Sequence, residues 1–285
     1  MSLKYTIYLL VFVMITSCQQ KQSKTSKKQV AYTYGTENDS AIFYFNKGWE
    51  YILDYGQWTL SDLAFRKAVS FDSTFVIGKA LVGKSTTDLT ERIKILIDIN
   101  NNENEIHEDD QLILEVTRIT IELFNARDQK LQLSDNFIPN FMSTAEKNYR
   151  EFIHKYPNES YIKAEYIEVL NAIYGPKLAL DSLHSLTTPN QKKIPFFISY
   201  AATLESDLEN FDNALSIAND FNKQINNPKI PQPYVLYGSI YLKMDSLSLA
   251  TSNIDRALAL DPNHIFAQRF KKQINDKLKI IDSND

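Results

Sequence analysis

Residues 231–263 read P-Q-P-Y-V-L-Y-G-S-I-Y-L-K-M-D-S-L-S-L-A-T-S-N-I-D-R-A-L-A-L-D-P-N. Tyr234, Tyr237, Gly238 and Tyr241 recur at the spacing of one helix face, and Ala250, Ile254 and Ala257 do so on a second. The polar M-D-S at 244–246 supplies a turn between them, and Pro262 stops the second helix. Gly238 and Ala250 are small where two antiparallel helices must approach closely, while Tyr241 and Ile254 fill the space beside them. A hairpin of this kind cannot bury its apolar face alone, so it needs stacked neighbours.

Weaker copies lie upstream at intervals of about 34 residues. Residues 195–228 carry Ala201, Ala202, Ala214, Ala218 and Phe221, with a turn marked by Phe211-Asp212. From Ser160 come Tyr166, Leu170, Ala179, Leu183 and Leu186, with Gly175-Pro176 as the turn. Ala145, Tyr149, Phe152 and Pro157 supply another second helix. Tyr44, Gly48, Tyr51, Phe65 and Ala68 form a unit with one extra residue in its turn, and Gly83 falls where the next small residue is due. The pattern is poor between about 98 and 140. Residues 264–281 read as an amphipathic helix whose lysines face water, the polar cap that the end of such an array requires.

These spacings resemble the tetratricopeptide repeat across about 41–264. The resemblance implies an all-α fold: a right-handed α-solenoid of about six tetratricopeptide-like helix pairs with a C-terminal capping helix, occupying 37–281, with a tail at 282–285. It also implies a concave groove that binds peptides. On this register the inner face of the first helices presents Phe45, Trp49, Lys84, Tyr161, Glu168, Thr203, Ser239 and Lys243. That mixture of aromatic, basic and acidic groups does not resemble the uniformly basic clamp that grips a C-terminal carboxylate.

Composition agrees. Only 7 of 285 residues are glycine, against an average near 7 percent, which disfavours glycine-rich nucleotide-binding sheets. A net charge of −4 gives no basic footprint for nucleic acid. A hydrophobic content of 44 percent is enough for an ample core.

The N-terminus places Lys4 before a largely apolar run at 5–15, followed by Thr16, Ser17 and Cys18. As a helix the run rises about 16 Å, well short of a bilayer core, and it reads as a signal peptide over 1–17. Ile15-Thr16-Ser17-Cys18 resembles the bacterial lipobox, whose cysteine becomes the lipidated N-terminus after cleavage. The whole chain thus resembles tetratricopeptide lipoproteins of the Bacteroidetes type. Cys18 is the sole cysteine, so no intramolecular disulfide is possible, and the lipobox resemblance implies that its thiol is an acyl acceptor. Residues 18–36, with Lys21, Lys24, Lys27 and Lys28, read as a flexible polar tether. Gln19 follows the cysteine in place of the aspartate that marks inner-membrane retention, and no acidic run signals surface export. The expectation is an outer-membrane anchor facing the periplasm, with an envelope protein or peptide as partner.

Several other patterns suggest chemistry. Gly78 to Ser85, G-K-A-L-V-G-K-S, matches the phosphate-loop pattern, in which Lys84 would reach phosphates and Ser85 would hold magnesium. Its apolar interior and the lack of following strand–helix alternation count against nucleotide binding. Asp98, Asn100, Asn102, Asn104 and Asp109 imitate half a calcium loop, but Glu103 stands where the turn-forming glycine belongs. His107 lies beside acidic residues, while His154, His184 and His264 are scattered as surface or helix-end residues. No metal, cofactor or catalytic constellation is expected, so the chain reads as a scaffold and not an enzyme. Trp49 and Trp58 leave a second reading, carbohydrate capture beside an outer-membrane transporter.

Overall fold

The computed structural model describes residues 32–102 and 106–282. Among the described residues there are thirteen α-helices and no strand, and the helices pair into six hairpins with one helix left over. The hairpins are α1 (Asp39–Trp49) with α2 (Trp58–Phe71), α3 (Val76–Ser85) with α4 (Leu89–Asn102), and α5 (Glu108–Asp128) with α6 (Phe137–Lys155). They continue with α7 (Tyr161–Tyr174) and α8 (Pro176–Leu186), α9 (Pro195–Asp207) and α10 (Phe211–Ile225), and α11 (Gln232–Lys243) and α12 (Leu247–Leu260). The capping helix is α13 (Ile265–Asp282). The architecture is the tetratricopeptide-like stack anticipated above.

Each helix packs on the next, and α3 on α5, α9 on α11 and α11 on α13 add contacts between successive first helices. The core is accordingly a relay of clusters. One runs from Tyr34 to Leu170, a second joins α7, α8 and α9, a third joins α9, α10 and α11, and the last joins α11, α12 and α13. In the last hairpin Ala250, Ile254 and Ala257 are fully buried. A Cβ on Gly238 would lie 2.5 Å from Ile254 Cδ1, so the close approach read from the sequence is real.

The turns repeat as well as the helices. Lys130, Glu209 and Asp245 each adopt left-handed backbone just past a first helix. In each case the next amide reaches back five residues: Leu131 N–H to Ala126 O, Asn210 N–H to Glu205 O and Ser246 N–H to Tyr241 O, at 2.8–2.9 Å. This is the bond that closes a helix in the Schellman manner. The poor region at 98–140 is helical too, with Asp109, Asp110, Thr117 and Asn125 buried along α5, and polar side chains are buried on either side of it. Arg92 is buried, donating from Nη1 to Asp128 Oδ2 at 2.7 Å and from Nη2 to Thr86 O at 3.0 Å. Buried Lys163 donates to Pro157 O, Leu186 O and Gln191 Oε1 at 2.6–2.9 Å.

The chain packs earlier than expected. Cys18, the signal peptide and the first part of the tether lie outside the described residues, but 32–36 are not tether. Tyr34 and Thr36 are buried, and Tyr32 packs edge-on against Phe152. Tyr32 Oη donates to Asp110 Oδ1 at 2.6 Å, Tyr34 Oη to Glu159 Oε1 at 2.5 Å, and Thr36 Oγ1 to Asp72 Oδ2 at 2.5 Å. Three aromatic or hydroxyl side chains with waiting carboxylates offset the entropy of ordering the arm.

The extra residue in the first turn has a structural outcome. After α1 the backbone widens into a π-helical turn, Glu50–Asp54, and Gly56 turns the chain with a φ of +64°. The projecting tip reaches the far end of the array. Tyr55 O accepts from Gln232 N–H at 3.2 Å, and Trp58 lies 5.9 Å from both His264 and Phe266 between ring centres. Thr59 N–H and Oγ1 donate to Asp261 at 3.0 and 2.7 Å, across 202 residues. Neither α2 nor α9 has a capping side chain from its own N-cap residue. Asp261 caps α2, and Asp54 caps α9 by accepting from Phe196 N–H at 3.1 Å.

Two stability outcomes follow from this geometry. Glu209→Gly removes a left-handed non-glycine residue, relieving about 1–2 kcal/mol of backbone strain against a glycine entropy cost of about 0.5–1 kcal/mol. Urea unfolding is expected to show a net gain of about 0.5–1 kcal/mol. Asp261→Ala is expected to cost about 1–2 kcal/mol, as loss of a helix cap does. Combined with Thr59→Ala the losses are expected to be less than additive, the signature of a direct contact.

Candidate functional site

The tip and the array together surround a cavity of about 450 Å³. The first helix of every hairpin but the third places a polar or aromatic side chain in it near the register position: Trp49 from α1, Lys84 from α3, Glu168 from α7, Thr203 from α9 and Ser239 from α11. The third hairpin contributes Phe124. Five of the eight predicted groove residues therefore meet around one space. Tyr161 stands just behind, its ring stacked on Trp49 at 5.8 Å and 10°.

Two predicted groove residues do not belong. Phe45 is fully buried among Tyr34, Phe65 and Phe75, because the α1 face that carries it turns into the hairpin core. Lys243 lies at the C-terminal end of α11 and pairs with Asp207 at the end of α9, outside the cavity lining.

The polar groups around the cavity are mostly committed. Ser199, Thr203 and Ser239 hydroxyls donate to carbonyls of their own helices, Phe196 O, Ser199 O and Leu236 O, at 2.8–3.2 Å. Lys84 Nζ spans both carboxylate oxygens of Glu165 at 2.8–2.9 Å and lies 5.7 Å from the Trp49 ring centre. Tyr200 Oη accepts from Asn171 Nδ2 at 3.1 Å. Glu168 makes no side-chain hydrogen bond among the described residues. Burial pushes its carboxyl up to about 8, the charge on Glu165 pushes the same way, and Lys84 opposes them. Asp54, beneath the tip, is raised to about 7, also by burial, with its bond to Phe196 N–H opposing.

Glu165 lies three residues before Glu168 on the same helix face, so helical spacing alone could have indicated it. His264, Trp58 and Phe266 come together only through closure, which no local pattern announces. His264 does stand at a helix end as expected, but it is buried, not at the surface. Its Nδ1 accepts from Ala267 N–H at 3.3 Å, and burial lowers the imidazole to about 4, leaving it neutral at physiological pH. Trp49 is 3 percent exposed and faced by Tyr161, so it is not an open platform for a sugar.

The phosphate-loop look-alike is helix. Gly78 to Ser85 lies inside α3, where backbone amides serve the helix. Lys84 is held by Glu165, and Ser85 Oγ donates to Asp62 Oδ1 at 2.9 Å. The calcium-loop look-alike is divided as well. Asp98 pairs with Lys79 at 2.6 Å, and Asp109 accepts from Lys155 Nζ at 2.7 Å and Tyr156 Oη at 2.6 Å, while 103–105 lie outside the described residues. Among the described residues no group of three or more His, Cys, Asp or Glu side chains could hold a metal ion, and no helix is long and apolar enough to cross a membrane.

No family model and no curated protein sequence matches the chain. Among solved structures it is similar to one described as the crystal structure of the APC/C hetero-tetramer Cut9-Hcn1, at 15% identity and a TM-score of 0.38, over 82% of this chain and 42% of that one. The chain thus spans less than half the length of that structure.

Asp54 gives the site a pH dependence with a definite sign. Its folded value near 7 lies above the unfolded value near 4, so the folded state binds the extra proton and loses stability as pH rises from about 4 to about 7. Asp54→Asn keeps an oxygen for Phe196 N–H without the buried charge. Its stability relative to the wild type is expected to climb over that interval and level off near pH 8, by on the order of 4 kcal/mol. Melts at four pH values check this, and a difference independent of pH would contradict it.

Proposed function

We propose that this chain is a lipid-anchored binding scaffold of the cell envelope, held through Cys18 at the outer membrane, facing the periplasm, and capturing a partner protein on the concave side of its hairpin array. One observation carries the capture: the cavity is built from α1, α2, α3, α5, α7, α9, α11 and α13, so its lining is a property of the whole array and not of any single hairpin. Stacked hairpins of this class present such surfaces to polypeptides. The cavity is apolar with few convergent polar groups, as ligand-receiving sites are, and it suits an anchor side chain better than a whole helix. The anchoring half of the reading rests on the lipobox-like Ile15-Thr16-Ser17-Cys18 and the short apolar run before it.

Cys18→Ala is expected to release the protein from membranes without changing its helical circular dichroism. Retention through salt and carbonate washes would overturn the anchor. For the capture, a photoreactive residue at Thr203 is expected to crosslink a partner in intact cells, whereas one at Lys177, exposed on α8, is not. Equal capture from both positions would remove the concave side from the mechanism.

A further inference from the structure

The cavity holds one carboxyl group, Glu168, that makes no side-chain hydrogen bond among the described residues. Lys84 faces two carboxylates, Glu165 and Glu168, and gives its Nζ to both oxygens of Glu165. Glu168 shares the cavity with the rings of Trp49, Trp58, Phe196 and Tyr200. The Ser199, Thr203 and Ser239 hydroxyls have spent their protons on their own helices. What remains is an acceptor inside aromatic walls. The Trp49 and His264 ring nitrogens also line the cavity and have no hydrogen-bond partner among the described residues, but an anion reaching them would be repelled by Glu165, and a purely apolar body would leave the Glu168 carboxyl without a hydrogen bond, which is costly. A cation on an aliphatic stem satisfies both parts, the stem against the rings and the head against the carboxylate. Arg269, on the exposed side at 5.6 Å from the Phe266 ring centre, belongs to the rim.

Building on the scaffold reading above, we propose that the cavity is a receptor for a lysine or arginine side chain of the partner polypeptide, with Glu168 pairing the cationic head and the aromatic walls holding its stem. The pairing has a linked proton. Burial and Glu165 keep Glu168 largely protonated near neutrality, and an arriving cation favours the ionised form, so binding expels a proton and tightens as pH rises. The charged and titratable groups facing Glu168 are Lys84 on α3, Tyr149 on α6, Glu165 on its own helix and Tyr200 on α9. Both tyrosines are held well above their usual value, chiefly by burial and also by the Glu168 charge, and stay neutral over this range.

Trp49 and Trp58 are the two tryptophans of the sequence and both line the cavity, so intrinsic fluorescence reports the site without a label. The full chain is titrated with blocked peptides Ac-Gly-Leu-X-Leu-Gly-amide, where X is lysine, arginine, norleucine or glutamate, and separately with spermidine. The lysine and arginine peptides are expected to bind at least tenfold more tightly than the norleucine peptide, and the glutamate peptide not at all. Glu168→Gln is expected to erase that preference. In the wild type the lysine peptide is expected to bind several-fold more tightly at pH 8.5 than at pH 6.5, with the norleucine peptide flat, a measurement that needs no variant. Equal binding of lysine and norleucine peptides overturns the cation receptor and leaves the scaffold intact. Spermidine binding better than any peptide overturns the polypeptide source. No fluorescence response to any peptide overturns the receptor, and if Thr203 crosslinking also fails, the scaffold reading falls separately.

Discussion

Two helices of this protein take their caps from the opposite end of the array. Asp261, at the end of α12, receives the first-turn donors of α2, and Asp54, at the tip of the first hairpin, receives a first-turn amide of α9. A stack of hairpins touching only their neighbours could flex along its whole length, since its stability is roughly a sum of local terms. These long-range caps, with Trp58 set against His264 and Phe266, fix the curvature. The cavity exists because the curvature is fixed. Its lining comes from eight of the described helices and from the tip itself.

The same closure makes the interior expensive for charge. Asp54 and Glu168 are both pushed upward mainly by burial, so each holds a proton in the folded chain that it would give up when unfolded. Hydrophobic relays on either side supply the stability that allows this, from the arm at Tyr34 to Ile274 in the capping helix. Acids kept in apolar surroundings concentrate at functional sites, where a cost in folding is accepted.

The repeat itself was legible wherever packing demanded a small residue. Gly238, Ala250 and Ile254 announced their hairpin because helix approach admits few side chains, and the turn at 244–246 announced itself by polarity. The register then located Trp49, Lys84, Glu168, Thr203 and Ser239, since alternate first helices present equivalent faces. It failed at Phe45, where the face rotates into the hairpin core, and at Lys243, which the helix end carries away to Asp207. Asp54, Asp261 and His264 were invisible as a set, because their meaning depends on contacts between the two ends of the array. The single extra residue in the first turn was the trace of that closure, readable as an irregularity but not as a cause. The arm at 32–36 was hidden by its neighbours, being aromatic residues at the edge of a lysine-rich run.

That arm also determines where force enters the molecule. The arm meets the array not at the start of α1 but across its middle, where Tyr32 is bonded to Asp110 on α5 and Tyr34 to Glu159 just before α7. A pull on the N-terminal side must shear these bonds and the Tyr32–Phe152 contact together before it can peel the first hairpin from the tip that closes the cavity. The arm is a strain relief for the first hairpin.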